Sequence, residues 1–369
     1  MGISHLRTSV GLARALRSAS GSIHWESAVL KLVRSLVALL LLAAALPAAA
    51  QEPVRIRFAL DWRFEGPSAL FVNALRKGYF TQEGLDVQID AGTGSAATVN
   101  RVASGAYDMG FADINALIEF LGNNPNTPQA SRPVAVYMVY DTMPGAVFAL
   151  RKSGIAKPAD LAGRTLGAPV FDAGRKAFPI FARANGIDVK TVQWKSMDPA
   201  LREVMLARGE VDAITSFYFT GLPGLNARGV KDDELVVMRY PDFGVELYGS
   251  AVIATPRLIA ERPQAVAAFL RALNKSIKEV IADPAAAIKV LKQHDPLIDE
   301  ALELRRLQLC IQHFVVTTNT RRDGLGAISK LRLDNTIDQV IAAFGIKSPV
   351  SPDNIFNSSF LPAATARKF

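Results

Sequence analysis

The sequence predicts an α/β protein of two similar lobes, each a mostly parallel sheet flanked by helices, with a two-strand hinge between them. Length is the first observation: 369 residues exceed what one hydrophobic core usually serves, and 50% hydrophobic with 21% charged residues is the composition of a folding chain. Alternation is the second, because segments of period two and segments of helical period take turns along the chain. The third is a repeat. Ala103, Gly105 and Asp108 in "VASGAYDMGFAD" return as Ala207, Gly209 and Asp212 in "MLARGEVDAITS", so two like units follow one another.

In the first unit Val54, Ile56, Phe58 and Leu60 alternate with Arg55, Arg57 and Ala59, a strand with one face to a core that ends at Asp61 and Trp62. Pro67 suits the first turn of a helix and Gly78 its end. "LDVQIDAG" is a second strand, "SAATVNRVAS" a second helix and "YDMGFAD" a third strand, an order that calls for parallel strands joined by crossover helices. After the polar loop "LGNNPNTPQASRP", "VAVYMVY" and "GAVFALRKSGI" are extended. The pattern then restarts as "RTLGAP", "GRKAFPIFARANG", "VKTVQWKSM", "DPALREVMLARG" and "EVDAITSFYF".

Gly105 and Gly209 suit the left-handed residue that closes a helix, and Asp108 and Asp212 open the strand that follows. "GVELYGSAVIAT" is extended again. Beyond Thr255 the composition turns helical, with Pro263 splitting the first long segment, and no third strand-rich unit follows. The expected boundaries are a leader over 1–50, the first part of lobe I over 51–147, lobe II over 148–246, and a return to lobe I with C-terminal helices over 247–369. Two crossings, near Phe148 and Tyr248, form the hinge.

The net charge of +8 is unevenly placed. Arg7, Arg14, Arg17, Lys31 and Arg34 against Glu26 put +4 in the first 50 residues, which leaves +4 for the remaining 319 with both signs interspersed. No basic stripe with interleaved aromatics appears, which argues against a nucleic-acid partner. Lys31 and Arg34 precede the apolar run "SLVALLLLAAALP", and "AAA" at 48–50 offers a cleavage site before Gln51, the layout of an export signal. Leu36 to Leu46 is well short of the roughly 20 apolar residues of a spanning helix, so stable membrane insertion is not expected. Thirty residues upstream of that layout are excessive, and translation starting near Val29 or Leu30 would remove them. No cysteine follows the apolar run to carry a lipid, and Cys310, the only cysteine, has no disulfide partner.

In open parallel sheets, ligands sit beyond the carboxyl ends of the strands. Those ends carry Asp61, Trp62 and Phe64, then Thr93, Gly94 and Ser95, then Asp113 in the first unit. Phe171, Asp172 and Arg175, then Ser216, Phe217 and Tyr218, follow in the second, with Tyr248 at the second crossing. Aromatic walls with a few orienting polar groups are the lining of a small-molecule cleft. Gly92-Thr93-Gly94-Ser95-Ala96-Ala97 also fits a dinucleotide turn, with Asp113 placed 21 positions after Gly92 as a ribose-binding acid would be. Against that stand the export signal and the turn's position in the second βα unit; a helix start of this kind equally receives a carboxylate or sulfonate. Catalytic patterns are missing. There is no G-x-S-x-G or S-x-x-K after residue 50, the histidines there are His294 and His313 only, and no three-ligand metal set stands out. Cys310 and His313 are spaced to meet on one helix face, which reads as a buried thiol beside a surface imidazole.

The pieces "LDW", "KGYFTQEGLDV", "GTGS", "SGAYDMGFAD", "ADLAGRTLGAP" and "LYGSAVIAT" together resemble the periplasmic solute-binding proteins of ABC importers, over roughly 56–269. The branch is the one that serves nitrate, taurine, alkanesulfonates and thiamine pyrimidine precursors. The resemblance implies the type II periplasmic binding protein fold and a monomer, free of cofactor, that closes on a small molecule and delivers it to a permease and its ATPase. Carried over, the ligand contacts fall on Asp61, Trp62, the "GTGS" turn and Asp113, and on the "FDAGR" and "SFY" turns. Pyrimidine binders of the branch stack aromatics and face ring nitrogens with carboxylates, which "LDW" matches. Sulfonate binders favour small hydroxyl residues at both helix starts, and "VFDAGR" departs from that, leaving Arg175 as the residue to hold an anion. Two enzymatic alternatives stand beside this reading: an exported NAD-dependent oxidoreductase using "GTGSAA", and a relative of the pyrimidine-synthesis enzymes.

Overall fold

The computed structural model describes residues 30–35 and 52–369. Residues 30–35 are helical, and the rest of the expected leader, including its apolar run and cleavage site, lies outside the described residues. Residues 53–369 form one compact unit, whose strands fall into two five-stranded sheets.

In the first unit β1 (Val54–Ala59) leads through a 3-10 turn at Gly66–Ser68 into α1 (Ala69–Arg76). Gly66 is needed for packing, because a Cβ there would lie 2.0 Å from the Glu303 carbonyl oxygen. Then come β2 (Leu85–Asp90), α2 (Ser95–Ala103), β3 (Met109–Asp113), α3 (Ile114–Asn123) and β4 (Val134–Met138). In the second, β5 (Gly145–Leu150) precedes β6 (Thr165–Gly167), α4 (Ala173–Ala184), β7 (Gln193–Lys195), α5 (Arg202–Ala207), β8 (Ala213–Phe217), α6 (Tyr218–Asn226) and β9 (Leu235–Arg239). The chain returns as β10 (Ser250–Ala254), and the main C-terminal helices are α7 (Pro263–Ala282), α8 (Pro284–His294), α9 (Glu300–Cys310) and α10 (Lys330–Phe344).

The sheet orders are β2-β1-β3-β10-β4 and β7-β6-β8-β5-β9. In each, the three strands of the β-α-β-α-β run are parallel and a single antiparallel strand, β10 or β5, is the one that enters after a crossing. The sheets are therefore mostly parallel, as the alternation implies. Strand β9, from "LVVMR", and helices α3 and α6 are not anticipated by the sequence, whose expected strand runs on to Phe219, into α6, and whose expected loop starts at Leu121, inside α3.

The repeated A-x-G-x-x-D has the same role twice. Gly105 and Gly209 follow α2 and α5 with φ of 75° and 74°. Asp108 accepts the Arg57 backbone N–H at 2.9 Å while its own N–H donates to the Arg57 carbonyl. Asp212 does the same with Thr165, at 2.8 Å. Each aspartate thus staples the start of the third strand of a β-α-β-α-β run to the first strand of that run, satisfying backbone groups that the short ladder leaves over.

The chain passes from the first sheet to the second between Met138 and Gly145 and returns between Arg239 and Ser250. Phe148, expected near the first crossing, lies inside β5, whereas Tyr248 does lie in the second. The crossings pair with each other: Met143 N–H donates to the Leu247 carbonyl and Gly249 N–H to that of Tyr140, both at 3.0 Å.

Candidate ligand-binding site

The carboxyl ends of both sheets face one another across a cavity that opens to solvent and, with its mouth, encloses about 640 Å³ of empty space. From lobe I, Asp61 and Trp62 reach it because β1 ends two residues earlier, and Gly94 and Ser95 because α2 starts there. From lobe II come Asp172, which caps α4 by accepting the Arg175 N–H at 2.9 Å, and Ser216 and Phe217 at the end of β8. Phe71, Phe111, Tyr140 and Phe219 complete an apolar wall.

Two arginines reach this space, and both are committed. Arg202, 1% exposed, donates to Asp172 at 2.9 Å and, through two nitrogens, to Glu203 at 2.7 and 2.9 Å. Arg63 pairs with Glu65 at 3.3 Å. Asp61, by contrast, has no cation within ion-pair distance among the described residues. Its carboxylate accepts the Ser95 hydroxyl at 3.5 Å, and the same hydroxyl accepts the Asp113 N–H at 3.0 Å. Burial, with Asp113 and Glu65 nearby, pushes the Asp61 carboxyl up to about 7. The Ser216 hydroxyl is fully buried without a partner. A free acceptor from one lobe and a free hydroxyl from the other, within aromatic walls, can hold a planar molecule through its N–H groups.

The lobes touch around the cavity. Thr220 of lobe II donates to Glu65 of lobe I at 3.0 Å, and the Trp62 and Phe171 rings lie 6.1 Å apart. Gly94, at φ 113°, is so close to lobe II that a Cβ would lie 2.9 Å from the Phe171 carbonyl oxygen. Gly94→Ala should therefore resist closure, weakening ligand binding about ten-fold with little change in the unfolding midpoint measured without ligand. The same crowding answers the dinucleotide reading. Gly92 and Gly94 donate their N–H groups to Trp62 and Asp61 carbonyls, and a Cβ at Gly92 would meet the Leu60 carbonyl at 2.0 Å, so backbone packing alone accounts for both glycines.

The remaining sequence candidates lie elsewhere. Thr93 is exposed at the turn. Phe64 stands edge-on to His294 at 4.8 Å. Asp113 and Phe171 line a neighbouring cavity, not this one; burial pushes the Asp113 carboxyl up to about 6, against the hydrogen bonds from Asn115. Arg175 turns its guanidinium over Trp194, 4.6 Å from the ring, and donates to Ala168 and Ser196, so it is not placed to hold an anion here. Tyr218 packs against His313. Tyr248, in the second crossing, does not line the cavity; its hydroxyl accepts the Ser329 N–H at 2.7 Å and its ring lies 4.1 Å from the Arg332 guanidinium.

Tyr218 leaves the site because the strand stops at Phe217 and α6 begins, so facing residues follow helical spacing, and Phe219 and Thr220 enter in its place. Glu65 and Arg202 were missed as well. Arg202 had a visible signal: it stands four residues before buried Leu206, on the inward face of α5. Cys310 is buried, its thiol pushed well up by burial, and His313 is half-buried beside Arg239. Neither lines the cavity.

Comparison with known proteins agrees with this geometry. The model of the family described as NMT1/THI5 like matches residues 67–287, more than half of the chain. The chain belongs to the NMT1/THI5-like family. A formylaminopyrimidine-binding protein of Halalkalibacterium halodurans is 26% identical over 283 residues, which cover 74% of this chain and 83% of that protein. The 4-amino-5-hydroxymethyl-2-methylpyrimidine phosphate synthase THI13 of Saccharomyces cerevisiae is 25% identical over 285 residues, 73% of this chain and 80% of the enzyme. Among solved structures, the alkanesulfonate-binding protein SsuA of Xanthomonas axonopodis pv. citri superposes with a TM-score of 0.63 at 14% identity, covering 84% of this chain and 99% of that one. At such identity the likeness shows the fold, the two-lobed type II periplasmic binding protein fold. NMT1/THI5-like relatives thus include both binding proteins and synthases.

Proposed function

We propose that this NMT1/THI5-like protein is the extracytoplasmic binding component of an ABC importer, which closes its lobes on a planar nitrogen heterocycle bearing N–H donors, an aminopyrimidine or a close analogue, and releases it to a permease. The unpaired Asp61 carboxylate carries this reading. A sulfonate would meet the Asp61 carboxylate with no free cation in the cavity to offset the repulsion, since Arg202 and Arg63 are already engaged by carboxylates. An amino or protonated ring N–H would satisfy Asp61, a ring nitrogen could accept from Ser216, and Trp62 with Phe217 would flank the ring. The match to a formylaminopyrimidine-binding protein supports the same class. A binding role without catalysis is supported by the same relative, which is named for binding alone. The export layout around Lys31 and Arg34 supports a periplasmic location.

Calorimetric titration with 4-aminopyrimidine, taurine and NAD tests the reading. Saturable binding of 4-aminopyrimidine alone is expected, weakened about five-fold in Ser216→Ala, the size of one lost hydrogen bond. Binding of taurine or NAD with none of the pyrimidine would sink it.

A further inference from the structure

Behind the Gly94–Ser95 turn lies a second, solvent-connected cavity, about 400 Å³ with its mouth, walled by α2 and α3 of lobe I and α4 of lobe II. Ser95 and Ala173 line both cavities, so the two adjoin. The polar lining of the second is rich in acceptors. Asp113 is 3% exposed and has no cation within ion-pair distance among the described residues. Asn115, 6% exposed, gives its amide protons to the Asp113 carboxylate and, at 2.9 Å, to the Tyr248 carbonyl. Those two bonds set the orientation of the amide and leave its Oδ1 a buried acceptor with no partner. Glu119 has the Lys176 ammonium of lobe II 3.8 Å away. The lining thus carries two carboxylates and one ammonium, which stands against Glu119 alone, and Phe171, Ile180 and Phe344 supply apolar walls.

We propose that this cavity is a second binding compartment, which takes a small organic cation with N–H donors, an amidinium or primary ammonium group, on Asp113, Asn115 and Glu119. Charge balance calls for one more positive group, and the orphaned Asn115 oxygen calls for an N–H on it. A quaternary ammonium answers only the first demand and an anion neither. The compartment rests on the reading of the cleft as a ligand site but does not require the heterocycle in the main cavity.

Acetamidinium chloride is the probe, titrated calorimetrically into the protein with tetramethylammonium chloride as the charge-only control. Saturable binding of acetamidinium and none of the control is expected. Asp113→Asn and Glu119→Gln should each weaken it about ten-fold, and Asp61→Asn far less. Should Asp113→Asn not fold, Glu119→Gln decides. The proposal is overturned if acetamidinium does not saturate, if the control binds as well, or if Asp61→Asn removes binding that Glu119→Gln preserves, which would place the probe in the main cavity. Failure here with 4-aminopyrimidine still bound removes the compartment alone; failure of both probes removes the cleft reading.

Discussion

Arg202→Leu should cost about 3–5 kcal/mol of folding stability, read as a lowered urea midpoint, because it strips the guanidinium from two buried carboxylates. Asp172 and Glu203 are each only 5% exposed, so water cannot replace the lost partner. Burial already pushes the Asp172 carboxyl upward, with Arg202 as the largest force holding it down. Loss of the arginine would drive a proton onto one of the pair, and the cost should therefore shrink as pH falls toward 4. Asp172 also caps α4 and lines the cavity, so ligand affinity should fall together with stability. A loss below 1 kcal/mol would mean that the buried triad is not what holds α4 and α5 to β8.

Asp61→Asn should do the opposite to stability while removing function. Asp61 and Asp113, with folded-state values of about 7 and about 6, bind protons in the native state that the unfolded chain, with ordinary carboxyls, has already released. Between roughly pH 4 and 7 the native state thus holds more protons, and linkage makes stability fall as pH rises through that window. Glu303, also raised to about 7 by burial, acts in the same sense, whereas His294 and His313, lowered by burial, act in the opposite one. Asp61→Asn removes one contribution. The variant should unfold later than the parent at pH 8, with the gap closing toward pH 4. Its affinity for 4-aminopyrimidine should drop at least 30-fold, since the charged acceptor is gone. A variant that is no more stable at pH 8, or that binds as before, would show that Asp61 is not the strained, ligand-facing carboxylate described here. Stability given up at a binding site is the expected cost of presenting an unpaired charge to a ligand.

Much of the architecture is legible along the chain because its signals are local. Val54 to Leu60 alternate, Pro67 and Gly78 bracket a helix, and "RTLGAP" to "EVDAITS" repeats the earlier order, so two units of like topology follow. Even the repeated aspartates announce themselves by spacing, although their role as staples to Arg57 and Thr165 depends on which strands pair. Strand β9 escaped notice because "LVVMR" is short, and α3 and α6 because each begins directly at a strand end, without a turn residue to mark the change.

Site membership divides along the same line. Strand-end position by itself determined that Asp61, Trp62, Gly94, Ser95, Asp172, Ser216 and Phe217 would lie near one opening, since a parallel sheet presents all its carboxyl ends on one side. Tertiary structure alone decided the rest. Tyr218 turns away because a helix starts beneath it, Arg175 because Trp194 offers its guanidinium a stacking face, and Tyr248 because the C-terminal segment at Ser329 and Arg332 claims it. Glu65 and Arg202 enter because Thr220 of the facing lobe packs onto one and helix packing buries the other beside Asp172. Direction and charge pairing are settled by contacts between residues far apart in the chain, which periodicity does not encode, and it is that pairing, with Asp61 the carboxylate of the main cavity left without a cation, on which the proposed ligand rests.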